Sequence, residues 1–344
     1  MMITLIYDQR GLHRGKGQVR IVIKTEYSEV MKLVGAEEIR AAVPYLIYGW
    51  ENVEKRIRKI EECGWNPETM RIGLERLLEI AKGKYMYSVY ETKECEKDPQ
   101  KKDVNLIYFP ASVDRGEKPF VVLCAGGGYK NVCSIAESYP LAAQLNKLGY
   151  PSFALTYRVG GNRLLPKPVD DLAAAIHFIR KNAGNFRVNP KRYLVIGFSA
   201  AGHLAALWGT DNHGYVKYNL PGPEAILPVY PLINSELFGT AEFIPEFRNI
   251  MFGKHYTIDL VKEYNIDEHI NENYPASYIV CCKDDDLVPF SNSVRLKEKL
   301  DTWNIPVELE LGLKGGHGFG DGRGTDVDGW IYRALNFCET IEKK

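Results

Sequence analysis

The chain reads as an α/β protein: a mostly parallel central sheet wrapped by helices, preceded by a mainly helical extension. Three observations carry this reading. From about residue 85, short apolar runs alternate with helical patterns. One run, Tyr193 to Ile196, breaks into Gly-Phe-Ser-Ala-Ala-Gly and then turns Ala- and Leu-rich from His203, which is a strand, a tight turn and a helix. Before residue 85, apolar residues recur at helical spacing.

The bulk properties set limits. A length of 344 residues suits one large α/β domain plus an extension, or two small domains. Acids and bases balance at 44 each, which points away from nucleic-acid partners. Seven cysteines, odd in number and without paired spacing, argue against a disulfide framework. The opening "MMITLIYDQRGLHRG" has too short an apolar run for a signal peptide, and no stretch approaches the roughly 18 apolar residues of a membrane helix. A cytoplasmic protein without membrane contact is expected.

In the extension, 1–84, "QVRIVIK" (18–24) suggests a strand, and 50–65 places Val53, Ile57 and Ile60 at helical spacing. The segment 66–83 is clearer. Asn66 is a cap, Pro67 suits the first helical position, and Met70, Leu74, Leu77 and Leu78 form one face. That face must pack on the core or on a second copy, so a homo-oligomer is left open.

The domain proper spans 85–344. Strands are expected at 85–90, 105–110, 119–128, 151–159, 193–196, 224–232, 277–285 and 307–313, with helices at 136–150 and 168–184. Residues 233–274, rich in Phe, Tyr and charge, form an insertion, a candidate lid or substrate wall. Aromatic residues there and in the extension, such as Tyr45, Trp50, Phe243, Phe247 and Phe252, could wall a pocket or pack the core.

Ser199 stands at the tip of the tight turn. A serine hydroxyl needs a base to take its proton and must stand clear of the backbone, and a strand-to-helix elbow meets the second need. The alternative is a serine that merely caps a helix. An acid and a histidine follow in the required order. Asp284, Asp285 and Asp286 lie at the C-terminal end of a strand, and Asp285 is chosen, three before Val288-Pro289, with Asp286 as the alternative. The other acids of the run are expected to be solvated turn residues. His317 lies in "LKGGHGFG" after the next strand. Of the other histidines, His13 falls in the extension, His177 mid-helix, and His213, His255 and His269 in or near the insertion. His203, one helical turn after Ser199, should point down the helix and pack.

"CAGGGY" (124–129) supplies glycines whose backbone can approach an oxyanion. The expected donors are the N–H of Ala200 and one from Gly126 or Gly127. The run lacks a P-loop pattern and no helix opens after it, so it is not read as a phosphate cradle. Arg158 and Asp171 should form a buried brace. No metal-ligand spacing appears.

Together "LCAGGGY", "LTYRV", "PVDDLAAAIHFIRKNA", "GFSAAGHLAALWGT", "VYPLIN", "DDDLVP" and "GGHGFG" resemble the α/β-hydrolase superfamily, and within it the bacterial esterases related to acetylxylan esterases and feruloyl-esterase-like hydrolases. The resemblance runs from about residue 104 to the C-terminus. It implies a serine esterase or deacetylase for short acyl esters, often acetyl groups on plant-polysaccharide sugars. The implied triad is Ser199, Asp285 and His317, the implied oxyanion loop Gly126–Gly128, and no cofactor is implied. Ala201 stands where the elbow usually ends in glycine, and Ala125 where Pro or His is frequent. The expected partner is a small-molecule or oligosaccharide ester. The same triad would serve a peptidase or amidase, and a non-catalytic binding protein on this fold is the reading from another class.

Overall fold

Apolar runs buried on both faces make the centre of the molecule, as a sheet covered by helices on each side requires. The computed structural model describes residues 28–50, 65–113, 118–237 and 244–341. Its strands are β1 (Met86–Ser88), β2 (Asn105–Phe109), β3 (Phe120–Cys124), β4 (Ser152–Thr156), β5 (Tyr193–Phe198), β6 (Ala225–Val229), β7 (Ser277–Cys282) and β8 (Val307–Gly312). They form one sheet in the order β1-β2-β4-β3-β5-β6-β7-β8. β1 and β2 run antiparallel to their neighbours, and the rest are parallel. The register aligns Cys124 with Gly197, and Cys282 with Gly312, so the C-terminal ends of β3, β5, β7 and β8 open onto one rim.

Side chains alternate across each strand and feed two cores. Phe120, Val122, Tyr193 and Val195 face α3 (Lys167–Lys181) and α4 (Ala200–Trp208). Val121, Leu123, Leu194 and Ile196 face α1 (Pro67–Ile80), α2 (Ser138–Lys147) and α7 (Trp330–Ile341). The insertion supplies α5 (Ile244–Phe252) and the short helix Ile258–Glu263 to the first core, and α6 (Ser291–Thr302) adds Leu296 and Leu300.

The extension belongs to the second core. Asn66 caps α1 by accepting from the Glu68 and Thr69 amides, Pro67 opens it, and Met70, Leu74 and Leu77 are fully buried. A helix over 28–34 and the 3-10 segment Glu37–Tyr45 add Val30, Val34 and Ile39 to the same core. The expected strand at 18–24, most of the 50–65 helix, His13 and Phe243 lie outside the described residues. Beyond this packing, Tyr48 exchanges backbone hydrogen bonds with Val132, and the Ile135 amide donates to Leu46. The segment 46–48 is thereby paired to the loop that follows β3.

The Arg158–Asp171 brace is present: Asp171 accepts from the Arg158 guanidinium at 2.7 Å and from its amide at 2.8 Å. Asp98 adds a contact at 2.6 Å and the Tyr90 hydroxyl one at 2.7 Å. Among the described residues, no helix is long and apolar enough to cross a membrane.

Candidate active site

The elbow forms because β5 must turn into α4 with almost no connecting chain. Ser199 takes φ 54° and ψ −119°, outside the usual L-residue regions. Gly197 is obligatory, since a Cβ there would stand 2.0 Å from the Ala201 carbonyl oxygen. Gly202 is likewise pressed against Pro231, at 2.8 Å. The intervening Ala201 is fully buried in the first core, so the methyl at the position usually held by glycine is accommodated.

Ser199 does not cap its helix with its side chain. Its Oγ lies 2.7 Å from His317 Nε2, and His317 Nδ1 lies 2.8 Å from Asp285 Oδ2. The carboxylate can only accept, so Nδ1 carries the proton and the Nε2 lone pair faces the serine hydroxyl. The Asp285 side chain is wholly buried, and its Oδ1 accepts from the amides of Leu287 (3.0 Å) and Val288 (2.8 Å). The three groups come from the ends of β5, β7 and β8, which only the sheet brings together.

Asp286 is exposed, and among the described residues its carboxylate makes no hydrogen bond. Asp284 is an exposed turn residue, as expected, and it has a further role. Its Oδ1 accepts from the amides of Gly315 (2.9 Å) and Gly316 (2.8 Å), the residues just before His317. It ties the histidine loop to the end of β7.

The glycine loop lies directly over the elbow. A Cβ on Gly126 would fall 2.7 Å from the Phe198 carbonyl oxygen and 2.9 Å from Ser199 Cβ. Gly126 cannot offer its N–H to a ligand, however, which corrects the expectation that it could be an oxyanion donor. That N–H donates to Glu137 Oε2 at 2.6 Å. The amides of Gly127 and Ala200 have no partner among the described residues.

Glu137 escaped the sequence reading, where it was one polar position in a helix. An acid within an otherwise apolar stretch beside the glycine loop was the available signal. It is 4% exposed, and burial pushes its carboxyl up to about 7, opposed by hydrogen bonds from Tyr230 and Gly126 and by the nearby His317. His203 packs as expected, buried, with Nε2 2.9 Å from the Tyr264 carbonyl and Nδ1 2.9 Å from the Tyr129 hydroxyl. Burial lowers it to about 4, so it is neutral.

Beside Ser199 lies a cavity of about 150 Å³, lined by Leu232, Phe247, Leu287 and Val288 together with Gly128, Lys130 and Ala200. Phe247 thus does wall a pocket. Phe252 instead packs in the core against Tyr256 and Tyr264, and the Tyr45 hydroxyl donates to Asp103. Two larger clefts, of about 700 and 780 Å³, are open grooves that contain none of these groups.

A sequence model described as BD-FAE matches residues 106–300, more than half of the chain. The chain belongs to the BD-FAE family. The matched region includes Ser199 and Asp285 and ends before His317. Among curated proteins, this BD-FAE chain is 25% identical to endo-1,4-beta-xylanase B of Butyrivibrio fibrisolvens over 67% of its length and 37% of the relative's. It is 27% identical to the acetylxylan esterase of Xylanibacter ruminicola over 59% of its length and 41% of the relative's. The chain therefore spans about two fifths of these relatives. A solved structure, the acetyl ester-xyloside bifunctional hydrolase of Caldicellulosiruptor lactoaceticus, superposes with a TM-score of 0.62 at 26% identity, covering 75% of this chain and 95% of that one. The fold of this BD-FAE member is that of the α/β hydrolases.

Proposed function

We propose that the chain hydrolyses short-chain carboxylic esters, acetyl esters foremost, and that its substrates are acylated sugars derived from plant polysaccharides. The observation that carries this is the continuous relay from buried Asp285 through His317 to Ser199 Oγ, facing a small apolar cavity. The names of the xylan-directed relatives support the sugar side of the reading.

In this reading Ser199 Oγ attacks the ester carbonyl carbon while its proton passes to His317 Nε2. Asp285 keeps the imidazole oriented and stabilises its cation. The amides of Gly127 and Ala200 receive the oxyanion. The tetrahedral species collapses, and the leaving alkoxide takes the proton from His317. Water then attacks the acyl-serine, giving its proton to His317, and the acid departs as Ser199 regains its hydrogen. The cavity of about 150 Å³ equals roughly five waters at ~30 Å³ each, room for an acetyl or slightly longer acyl group and not for a fatty chain. A cytoplasmic setting is part of the proposal, supported by seven cysteines that are odd in number and without paired spacing.

The test is release of acetate from p-nitrophenyl acetate and acetylated xylo-oligosaccharides by wild type and Ser199→Ala. Loss of all three triad members elsewhere costs about a millionfold. A variant keeping a tenth of the wild-type rate would show that Ser199 is not the nucleophile. Turnover of matched amides in preference to esters would move the reading to an amidase.

A further inference from the structure

Glu137 sits at the start of α2, touches neither Ser199 nor His317, and nevertheless reaches both halves of the site. One carboxylate oxygen accepts the Gly126 N–H at 2.6 Å, and the other accepts the Tyr230 hydroxyl at 2.7 Å. Tyr230 follows β6, is fully buried, and has φ 38°, a backbone conformation that an aromatic residue rarely takes without being held there. Its ring lies against the His317 imidazole, with centroids 4.8 Å apart, and against Phe319 at 4.5 Å. Its hydroxyl oxygen also accepts the Gly320 N–H at 3.2 Å. One buried carboxylate therefore holds the glycine loop directly and the histidine loop through a tyrosine.

A packing role alone does not call for this arrangement. Burying a carboxylate is costly, and an apolar side chain fills space better. What the carboxylate supplies is two acceptor oxygens for two donors on different loops. By taking the Gly126 N–H it also fixes that peptide, which lies against Ser199, while the next amide, on Gly127, has no partner among the described residues.

We propose that Glu137 is a positioning residue for catalysis, a tie that keeps the glycine loop and the histidine loop in mutual register through Gly126 and Tyr230. The inference rests on the ester-hydrolase reading above and adds to it a residue outside the triad.

The experiment compares wild type, Glu137→Gln, Tyr230→Phe and the double variant. Active sites are counted by stoichiometric fluorophosphonate labelling, and kcat and KM for p-nitrophenyl acetate are expressed per labelled site. Glutamine keeps the shape and one acceptor but presents an NH₂ where Tyr230 donates. Phenylalanine keeps the ring and removes the link to Gly320. Each single variant should lose roughly 10- to 100-fold in kcat, less than removal of an oxyanion donor itself, with KM within about twofold. The double variant should be no worse than the poorer single one, because both cut the same tie. A merely structural role would instead lower melting temperature and labelled fraction while leaving kcat per labelled site at the wild-type value, and that result overturns the inference. So does a double variant whose losses multiply. Should Glu137→Gln fail to fold, Tyr230→Phe carries the same test. A wild type that neither turns over nor takes the label overturns the functional reading, and this inference with it.

Discussion

Asp284, Asp285 and Asp286 are neighbours in sequence and have three different environments. Asp285 faces His317, Asp284 holds the Gly315 and Gly316 amides, and Asp286 faces solvent. Asp285→Asn should therefore lower kcat by about ten-thousandfold, while Asp286→Asn should stay within about twofold. Asp284→Asn retains an acceptor for both amides and should be mild, whereas Asp284→Ala should loosen the loop and reduce kcat by about tenfold. Steady-state kinetics on p-nitrophenyl acetate read all four, and equal damage from Asp284→Asn and Asp284→Ala would contradict the hydrogen-bond account. Asp285 was legible from its distance to Val288-Pro289. The partners of Asp284 lie 31 and 32 residues away, beyond anything local spacing encodes. Glu137 was hidden for the same reason, since its Tyr230 partner is 93 residues distant. His203 gives a pH prediction. Its pKa falls from about 6.5 unfolded to about 4 folded, so its contribution is full above 6.5 and is lost as pH drops towards 4. The swing is on the order of 3 kcal/mol. Glu137, raised from 4.5 to about 7, acts oppositely, contributing most below 4.5 and losing that contribution as pH rises through 7. His203→Gln should flatten the acid fall in unfolding free energy between pH 6.5 and 4. Denaturant titrations that stay parallel for the two proteins would contradict this.

The inner strands β3 to β7 were legible as elements because burial on both faces makes each a nearly uninterrupted apolar run, whereas the edge strand β8 alternates apolar residues with Glu308 and Glu310. Their directions were not: an apolar run records burial, and nothing in "YMYSVY" or "NLIYFP" distinguishes the antiparallel edge pair β1–β2 from the parallel strands beside it. The insertion could be placed between two strands, but which of its aromatic residues would reach the site depended on how α5 docks. The amides of Leu164 and Leu165 donate to the carbonyls of Ile250 and Met251 at the end of that helix, and Phe247 is turned towards Ser199. Rates over an ester series from acetate to decanoate should fall beyond the first few carbons in the wild type. Phe247→Ala, which removes a cavity wall, should move that fall to longer chains. A flat wild-type series, or an unchanged limit in the variant, would show that the cavity does not receive the acyl group.

At the scale of the whole molecule, the described part of the extension is packed into the second core. Met70, Leu74 and Leu77 are buried against this chain's own core, so the apolar face of α1 does not call for a second copy. Each is worth about 1.5–3 kcal/mol on burial. Gly73 lies at the crossing of α1 and α2, where a Cβ would stand 2.8 Å from the Pro140 nitrogen. Gly73→Leu should force the helices apart and cost about 1–3 kcal/mol, a drop of several degrees in melting temperature. Removing residues 1–84 should give insoluble or strongly destabilised protein. A truncated chain with unchanged melting temperature and kinetics would mean that the extension is an independent appendage.

The hydroxyl of Thr69 donates to Asp321, and Gln144 reaches the other oxygen of the same carboxylate. Thr69 and Asp321 are 252 positions apart. On the ribosome these groups appear in sequence, α1 before α2, and both before Asp321 and α7. During translation α1 can meet α2 but cannot be locked, and His317 emerges only after Ser199 has long been outside the exit tunnel. The nascent chain must therefore carry an incompletely covered sheet face from the emergence of β3 until α7 follows. Chaperone demand and protease sensitivity should peak in chains stalled before residue 317 and fall once α7 has emerged. Stalled nascent chains of increasing length, probed by limited proteolysis, would show where protection begins.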